Sequence, residues 1–388
     1  MNSAAIVGII GAGSMGSGIA QVAAQAGHKV WLCDSHPDAL ERAARGHQKV
    51  FTMLAEKGKM TLEDAKVCAK RITYTRILDD LKHCTLVVEA IIEDLEVKQG
   101  LFQELEIICD SETVLATNTS SLPVVAIAGK LRSPERVLGL HFFNPAPLMP
   151  LVEVIPSMLT APNLTQEMTE LMRHWGKIPV MAKDTPGFIV NRVARPFYGE
   201  SLRILDEGIA DEATIDYALK TYGGFRMGPF ELMDLIGNDI NFAVTSTVYN
   251  AFYQDSKYRP SLIQQRMVEA GLLGKKSGKG YYDYSENQEQ IAPQTNDELG
   301  KTITNRVLCN LINHAIDAVY LKVATVKDID LAMTKGVNYP KGLLQWADEI
   351  GLHNVLATMD ALYAEYHEER YRASVLLRNM VREKQSFY

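Results

Sequence analysis

Short apolar runs alternate with helix-length amphipathic segments through the first half of the chain. Segments such as Met15–Ala26 and Glu93–Cys109 separate most of the apolar runs. The runs have the length of strands, and they are Ala4–Ile10, Lys29–Cys33, Leu86–Ala90, Val114–Thr117, Val137–Phe143 and Leu151–Ile155. Because strands that alternate with helices form βαβ units, this pattern predicts an α/β fold with a doubly wound, mainly parallel sheet.

The pattern changes near residue 184, beyond which strand-like runs nearly disappear. Asp184 or Thr185 can cap a helix that has Pro186 in its first turn. Helical patterns follow over Asn191–Glu207 and Asp211–Tyr222 and over most of the remaining chain. A polar stretch over 285–300 predicts a linker. We therefore expect a first domain over 1–184 and all-α domains over 185–284 and 301–388.

The helical region contains an internal repeat. The sequence Asn191-Arg192-Val193 recurs as Asn305-Arg306-Val307. At the same offset, Ile215, Asp216, Ala218, Gly228, Asp234 and Gly237 match Ile329, Asp330, Ala332, Gly342, Asp348 and Gly351. Matches that hold one register over so many positions indicate two tandem copies of one helical domain.

Composition excludes several classes of function. The chain has 388 residues and a net charge of −7, which argues against nucleic-acid binding because that requires a basic surface. Its five cysteines are scattered and form no C-x-x-C pair, so we expect neither a metal site nor disulfides, and a reducing, cytoplasmic location. It lacks the run of about 20 apolar residues that would predict a membrane span.

The first strand leads directly into a glycine-rich turn with the pattern G-x-G-x-x-G. In this pattern Gly11 allows the tight turn, Gly13 lets the backbone approach a pyrophosphate, and Gly16 lets the following helix pack against the strand. The phosphates would bind at the positive end of that helix. The candidate cofactor residues of the turn are Gly11, Ala12, Gly13, Ser14, Met15 and Gly16.

An acidic residue, Asp34, ends the second strand. A carboxylate at this place can bind the ribose hydroxyls and repels a 2′-phosphate, which favours NAD over NADP. FAD shares the fingerprint, but no later segment suggests a flavin domain. The alternative is a glycine turn in an unrelated α/β domain, with Asp34 exposed in a loop. Strand, glycines, helix and acid together favour a Rossmann-type NAD site.

Polar residues that follow the later strands are candidates for catalysis. His141 could accept the hydroxyl proton of an alcohol as hydride leaves carbon, and Glu153 could orient its imidazole ring. Ser120 and Asn191 could donate hydrogen bonds to the substrate oxygen. Each has an alternative interpretation: a buried core histidine, a solvent-facing strand glutamate, a helix-capping serine and an exposed asparagine.

Several segments resemble the 3-hydroxyacyl-CoA dehydrogenase family, including its 3-hydroxybutyryl-CoA members. The resemblance covers residues 1 to about 284, with the matching segments in family order. Its most specific segments are His141-Phe142-Phe143-Asn144-Pro145 and Pro186-Gly187-Phe188-Ile189-Val190-Asn191-Arg192. Other matches are the glycine turn and the segments 88–93, 118–121, 184–185 and 227–232. The resemblance implies NAD as cofactor and (3S)-3-hydroxyacyl-CoA as substrate.

The resemblance also implies roles for individual residues. It identifies His141 and Glu153 as the catalytic pair and adds Ser120 and Asn191. The nicotinamide-side contacts would be Glu93, Lys98, Ser120 and Asn144, and the cofactor would also meet Lys276. Lys57 falls near a family lysine that binds coenzyme A, although Val50 departs from the pattern where relatives can carry serine. For the lysines, a solvated surface charge is the alternative.

The second helical copy departs from single-copy members of the family. The segment Met227-Gly228-Pro229-Phe230 becomes Lys341-Gly342-Leu343-Leu344, and we expect Asn305 to be structural. The resemblance implies that single-copy members dimerise through the helical domain. We therefore expect either a monomer with an internal pseudo-dimer or a homodimer. The rival functions are a related hydroxyacid or sugar-acid dehydrogenase, such as one like L-gulonate dehydrogenase, and a catalytically silent structural protein.

Overall fold

The computed structural model describes residues 5–286 and 291–388, so Ala4 and part of the predicted linker lie outside the described residues. The described chain forms two compact units, 1–188 and 189–388, which divide slightly beyond the predicted boundary at residue 184. The first unit contains all named strands and six α-helices. The second unit is helical, as the sequence predicts.

The first unit is built on an eight-stranded sheet. Its strands are β1 (Ile6–Ile10), β2 (Lys29–Cys33), β3 (Ile72–Thr75), β4 (Leu86–Glu89), β5 (Val114–Thr117), β6 (Val137–Phe142), β7 (Leu151–Pro156) and β8 (Ile178–Met181). Its helices are α1 (Ser14–Gln25), α2 (Pro37–Glu56), α3 (Leu62–Lys70), α4 (Leu95–Ile108), α5 (Val124–Ala128) and α6 (Pro162–His174).

The strand order is β3-β2-β1-β4-β5-β6-β7-β8, and β1 to β6 pair in parallel. The direction reverses at β7, which pairs antiparallel with β6 and parallel with β8. The order in which the strands follow along the chain reverses between β1 and β4. In sheets of this kind, ligands bind at such a point, beyond the carboxyl ends of the strands. The structure therefore confirms the predicted Rossmann-type, mainly parallel sheet.

Two strands are missing from the sequence-based prediction, and both lie at an edge of the sheet. β3 is half exposed, and β8 contains Pro179, which cannot donate a hydrogen bond to a neighbouring strand.

A second difference from the sequence-based prediction concerns Asp184. It does not cap a helix that starts at Pro186, because its carboxylate accepts hydrogen bonds from the backbone N–H groups of Val124 and Val125, at 3.0 and 2.8 Å. It thus caps α5, and the next helix begins at Val190.

The second unit contains two series of helices. The first series is α7 (Val190–Val193), α8 (Arg195–Asp206), α9 (Glu212–Thr221), α10 (Pro229–Ile236), α11 (Asn238–Ala251) and α12 (Leu262–Glu269). The second is α13 (Asp297–Tyr320), α14 (Val326–Gly336), α15 (Leu343–Ile350), α16 (Leu352–Tyr366) and α17 (Val375–Glu383). Because α13 begins at Asp297, the last residues of the predicted linker are helical.

The helices of the two series follow the register of the sequence repeat, and equivalent aspartates make equivalent contacts. The carboxylate of Asp216 accepts the N–H groups of Phe230 and Glu231 at the start of α10, both at 2.9 Å. Asp330 accepts those of Leu344 and Gln345 at the start of α15, at 2.9 and 3.0 Å. The duplicated sequence is therefore a duplicated structure.

The second copy lacks the glycine–lysine segment that follows α12 in the first, yet it keeps an aromatic pair. In the first copy Asp234 accepts the N–H groups of Tyr281 and Tyr282, at 3.0 and 2.9 Å. In the second copy Asp348 accepts those of Phe387 and Tyr388, each at 2.9 Å. The hydroxyl groups of Tyr282 and Tyr388 then donate to Asp216 and Asp330, respectively. What the second copy retains is thus its hydrogen-bonded framework.

We expect Asp330→Ala to lower the melting temperature, because it leaves the first N–H groups of α15 without their acceptor. The loss of such a helix cap costs about 0.5–2 kcal/mol. Thermal unfolding followed by circular dichroism measures the shift, and the control is Glu365→Ala at an exposed position of α16. Equal melting temperatures for the two variants would contradict this role of Asp330.

Candidate active site

The glycine-rich turn joins β1 to α1 with the close packing that the sequence predicts. Gly11 has φ +98°, and a Cβ atom placed on it would lie 2.5 Å from the carbonyl oxygen of Ala90. A Cβ atom on Gly16 would lie 1.8 Å from the carbonyl oxygen of Gly11. A Cβ atom on Gly13, by contrast, would meet no described atom within 4 Å. Gly13 therefore presents open backbone at the start of α1, where a dinucleotide pyrophosphate fits.

Asp34 lies beside this turn at the end of β2. One oxygen of its carboxylate accepts the N–H of Ala12 at 2.6 Å, and the other accepts the N–H of His36 at 2.8 Å. These bonds fix the carboxylate next to the glycines, where ribose hydroxyls are expected. The hydroxyl of Ser14 donates to the side-chain oxygen of Asn144 at 3.2 Å, which places Asn144 at the same turn.

His141 and Glu153 form a buried pair across β6 and β7. They lie directly opposite each other in the antiparallel register, and Nδ1 of His141 is 2.6 Å from Oε2 of Glu153. Glu153 is 0% exposed and His141 is 6% exposed. Because Nδ1–H donates to the carboxylate, Nε2 is the ring nitrogen that can exchange a proton with a substrate.

Packing and backbone contacts fix the orientation of this histidine. The rings of Phe143 and Phe188 lie 4.5 and 5.9 Å from the imidazole, measured between centroids. Phe188 is buried and has φ +47°, a left-handed conformation that a bulky residue rarely adopts. The side chain of Asn118, at the end of β5, accepts the N–H of Phe142 at 2.8 Å. No sequence pattern predicts these contacts.

Glu93 organises the segment that contains Ser120. One of its carboxylate oxygens accepts the hydroxyl of Thr119 at 2.7 Å and the backbone N–H of Ser120 at 2.7 Å. The same oxygen accepts the hydroxyl of Ser120 at 3.1 Å and the N–H of Ser121 at 3.1 Å. Burial alone would raise the pKa of Glu93, but the ammonium group of Lys98 and these hydrogen bonds hold it below its ordinary value.

Lys98 lies beneath this segment, with its side chain 1% exposed. Its ammonium group pairs with Glu89, and it lies 3.4 Å from the second oxygen of Glu93. Glu89 in turn accepts the hydroxyl of Thr117 at 2.7 Å and the N–H of Ile91 at 2.8 Å. Glu89 and Thr117 were not predicted as part of the site. Both are polar residues at the end of a buried strand, and that position could have indicated them.

Three further predicted residues remain to be located. Lys57 is exposed at the end of α2. Asn191 is half-buried on α7 in the second unit. Lys276, also in the second unit, pairs with the carboxylate of Asp239 at 2.5 and 2.7 Å. The predicted cofactor and substrate contacts of these three residues stay predictions. The alternative that Ser120 caps a helix is wrong, because α5 begins at Val124 under the carboxylate of Asp184.

The described residues include neither a group of three His, Cys, Asp or Glu side chains suited to a metal ion nor a helix long and apolar enough to cross a membrane. All five cysteines are free and buried.

A dinucleotide-binding turn and a histidine–carboxylate pair on one Rossmann-type sheet define an NAD-dependent oxidoreductase. The family model described as "3-hydroxyacyl-CoA dehydrogenase, NAD binding domain" matches residues 6–185. The model of the C-terminal domain of the same family matches twice, over 187–284 and 303–386, which confirms the duplication. The chain belongs to the 3-hydroxyacyl-CoA dehydrogenase family.

Individual relatives agree with this assignment. The chain is 39% identical to the 3-hydroxyadipyl-CoA dehydrogenase of Escherichia coli, with 96% of each chain aligned. It is 41% identical to a probable 3-hydroxybutyryl-CoA dehydrogenase of Bacillus subtilis over 72% of this chain and 96% of the relative. Among solved structures, a 3-hydroxybutyryl-CoA dehydrogenase of Escherichia coli superposes with a TM-score of 0.92 at 38% identity, covering 98% of each chain.

We expect Glu93→Gln to lower the melting temperature at pH 7, because a neutral amide binds Lys98 and the N–H groups of 120 and 121 less strongly. The pKa of Glu93 is depressed in the folded state, so its stabilising effect is present above the ordinary glutamate value of about 4.3 and disappears as pH falls through the lower, folded value. The difference between wild type and variant should therefore shrink at acidic pH.

Thermal unfolding across a pH series measures this difference. Glu96→Gln, at an exposed position in the first turn of α4, is the control and should show little change at any pH. A destabilisation by Glu93→Gln that is independent of pH would argue against the charged form of Glu93 as the group that holds the Ser120 segment.

Proposed function

We propose that the protein interconverts (3S)-3-hydroxyacyl-CoA and 3-oxoacyl-CoA with NAD, and that His141 is the general base and acid of this reaction. The observation that carries the proposal is the buried hydrogen bond between His141 and Glu153 at the carboxyl edge of a sheet with an NAD-binding turn. The names of the relatives reported above favour this substrate class over a free hydroxyacid or sugar acid.

In the oxidative direction, Nε2 of His141 accepts the hydroxyl proton of the substrate. The bound NAD supplies the acceptor for the hydride that leaves the same carbon. Glu153 holds the ring in the tautomer with Nδ1 protonated, and its charge stabilises the imidazolium that forms. In the reductive direction the imidazolium returns the proton to the oxygen. The buried position of Glu153 supports this role, because a fully buried carboxylate interacts strongly with a neighbouring positive charge.

We propose that Ser120 and Asn191 donate hydrogen bonds to the substrate oxygen, which becomes more negative in the transition state. The anchoring of the Ser120 segment by Glu93 supports the first assignment, because a fixed donor need not reorganise during the reaction. The second rests on the family resemblance of the segment around Asn191.

Cofactor contacts are proposed for the glycine turn, Asp34, Asn144, Glu93 and Lys98. We also propose that Lys276 binds the cofactor and that Lys57 binds coenzyme A. The fixed carboxylate of Asp34 supports a preference for NAD, since a 2′-phosphate would be repelled there. The two relatives that align with nearly all of this chain are named for adipyl and butyryl substrates. Activity should therefore be measured across acyl-chain lengths, including a dicarboxylyl substrate.

We further propose that the two helical copies act as an internal pseudo-dimer and that the enzyme is a cytoplasmic monomer. Helix α13 of the second copy packs on α8 and α9 of the first. The carboxylate of Glu200 on α8 is 2.5 Å from Nε of Arg306 on α13, and both groups are buried. These contacts support the idea that one copy occupies the surface at which a second chain would bind. The five free thiols suit a reducing compartment.

We expect His141→Ala to reduce NADH consumption with acetoacetyl-CoA by about 10²–10⁴-fold, because the proton donor is lost. Glu153→Gln should reduce turnover as well, while the Kd for NADH changes little in both variants. The matched control is His83→Ala, since His83 also faces a carboxylate, Asp110 at 3.1 Å, but at the surface. Either of two results would overturn the proposal. One is a loss of less than threefold in His141→Ala, and the other is oxidation of free L-gulonate with NAD as efficiently as that of a 3-hydroxyacyl-CoA.

For the oligomeric state, we expect sedimentation equilibrium to give the mass of one chain, 43.1 kDa, at micromolar concentrations. The reason is that α13 already covers α8 and α9 within the same chain. A stable species of twice this mass would contradict the proposal if hydrogen exchange showed α8 to be part of the contact between chains.

A further inference from the structure

Glu89 lies at the point of the sheet where a dinucleotide is expected to bind. It is the last residue of β4, and in the parallel register it lies opposite Ile10, the last residue of β1. Gly11 of the cofactor turn follows directly and packs against the carbonyl group of Ala90. Because the strand order reverses between β1 and β4, the cleft for the dinucleotide opens just beyond these residues.

The side chain of Glu89 is 0% exposed and is surrounded by hydrogen-bond donors. Its carboxylate accepts the hydroxyl of Thr117 at 2.7 Å and the backbone N–H of Ile91 at 2.8 Å. The ammonium group of Lys98 also donates to it. A carboxylate that is removed from water keeps its charge only among such partners. Because it is fully buried, Glu89 acts on the cleft through its charge and not by contact.

Lys98 faces a second carboxylate, that of Glu93. The ammonium group is 3.4 Å from one oxygen of Glu93, and the other oxygen accepts the N–H groups of Ser120 and Ser121 at 2.7 and 3.1 Å. Burial would raise the pKa of Glu93, but the ammonium group and these hydrogen bonds hold it below its ordinary value, so Glu93 is ionised at neutral pH. We call Glu89, Glu93 and Lys98 the acid–lysine cluster.

The acid–lysine cluster contains two negative charges and one positive charge. In the part of the chain that the structure describes, Lys98 is the one cation within ion-pair distance of either carboxylate. One negative charge therefore remains at the carboxyl edge of β4. Lys98 and Glu89 are at most 1% exposed, and buried charges are screened by water and salt much less than exposed ones.

We propose that Glu89 sets the preference of the enzyme between the oxidised and the reduced cofactor, because it leaves one net negative charge beside the nicotinamide half of the cleft. The nicotinamide ring carries a positive charge in NAD+ and none in NADH, so the cluster strengthens the binding of NAD+ relative to that of NADH. This inference rests on the proposed function, under which Glu93 and Lys98 contact the nicotinamide side of the cofactor.

The test is the ratio of the two dissociation constants, measured by isothermal titration calorimetry with NAD+ and with NADH. Glu89→Gln removes the buried charge and keeps a side chain of the same size. We expect the ratio of the Kd for NAD+ to the Kd for NADH to rise about tenfold, through weaker binding of NAD+. A variant that is merely less stable would weaken the binding of both forms alike.

A double variant separates the charge from the structure. In Glu89→Gln/Lys98→Met the buried ion pair is replaced as a whole, a change that proteins often tolerate. Glu93 alone then leaves the same net charge as the complete cluster of the wild type. We therefore expect the ratio to return to within about twofold of the wild-type value, even where both affinities fall.

Two neighbouring positions provide controls. Thr117→Val removes the hydroxyl that donates to Glu89 without changing any charge, so the melting temperature should fall while the ratio stays within twofold. Glu96→Gln removes a charge from the exposed first turn of α4, where water screens it, and the ratio should again stay within twofold.

The outcomes distinguish the two levels of inference. If the wild type binds neither NAD+ nor NADH, the proposed function fails. If it binds both and Glu89→Gln changes the ratio by less than twofold, the role of Glu89 is wrong and the proposed function stands. A ratio that remains shifted in the double variant would also contradict this role. Should Glu89→Gln not fold, Glu93→Gln removes one charge from the same cluster, and an unchanged ratio there rejects the inference.

Discussion

The burial of one carboxylate determines the arrangement of the candidate active site. Glu153 is fully buried, and a buried charge is costly unless a partner compensates it. The partner is His141, which stands opposite it because β7 runs antiparallel to β6. In a wholly parallel sheet the early residues of β7 would lie at the far edge, away from the cofactor turn. The reversal of strand direction therefore brings acid and imidazole to the edge where the dinucleotide binds.

Carboxylates that accept several fixed donors also shape the rest of the molecule. Glu93 gathers the N–H and hydroxyl groups of the Ser120 segment, and Asp184 caps α5 across a long sequence separation. In the helical unit, Asp216 and Asp330 cap equivalent helices. These carboxylates convert loops into fixed structures without apolar side chains. The second copy lost the glycine–lysine segment yet kept such carboxylates, which indicates that its framework was retained for structure.

The structural features that could be predicted from the sequence are those that a local pattern of residues encodes. The buried strands, the glycine turn, Asp34 and the repeat each have a signal within a short window, and the pairing of His141 with Glu153 follows from the family resemblance. The edge strands β3 and β8 lack that signal because half-exposed residues and Pro179 weaken it. Contacts such as Lys98 with Glu89 join a strand end to a helix, and no periodicity encodes their partner. The capping target of Asp184 is hidden for the same reason.

Fusion of two copies in one chain changes what an interface can become. In a symmetric dimer of identical chains each contact occurs twice, so one substitution alters both halves. In a fused pair each half can change alone: Glu200 binds Arg306, whereas the equivalent His314 packs against the ring of Tyr258. Arg203 pairs with Glu368, whereas Asp317, its equivalent in the repeat, has the opposite charge and pairs with Lys257. Such asymmetry lets the two halves diverge in charge while both keep the same helical framework.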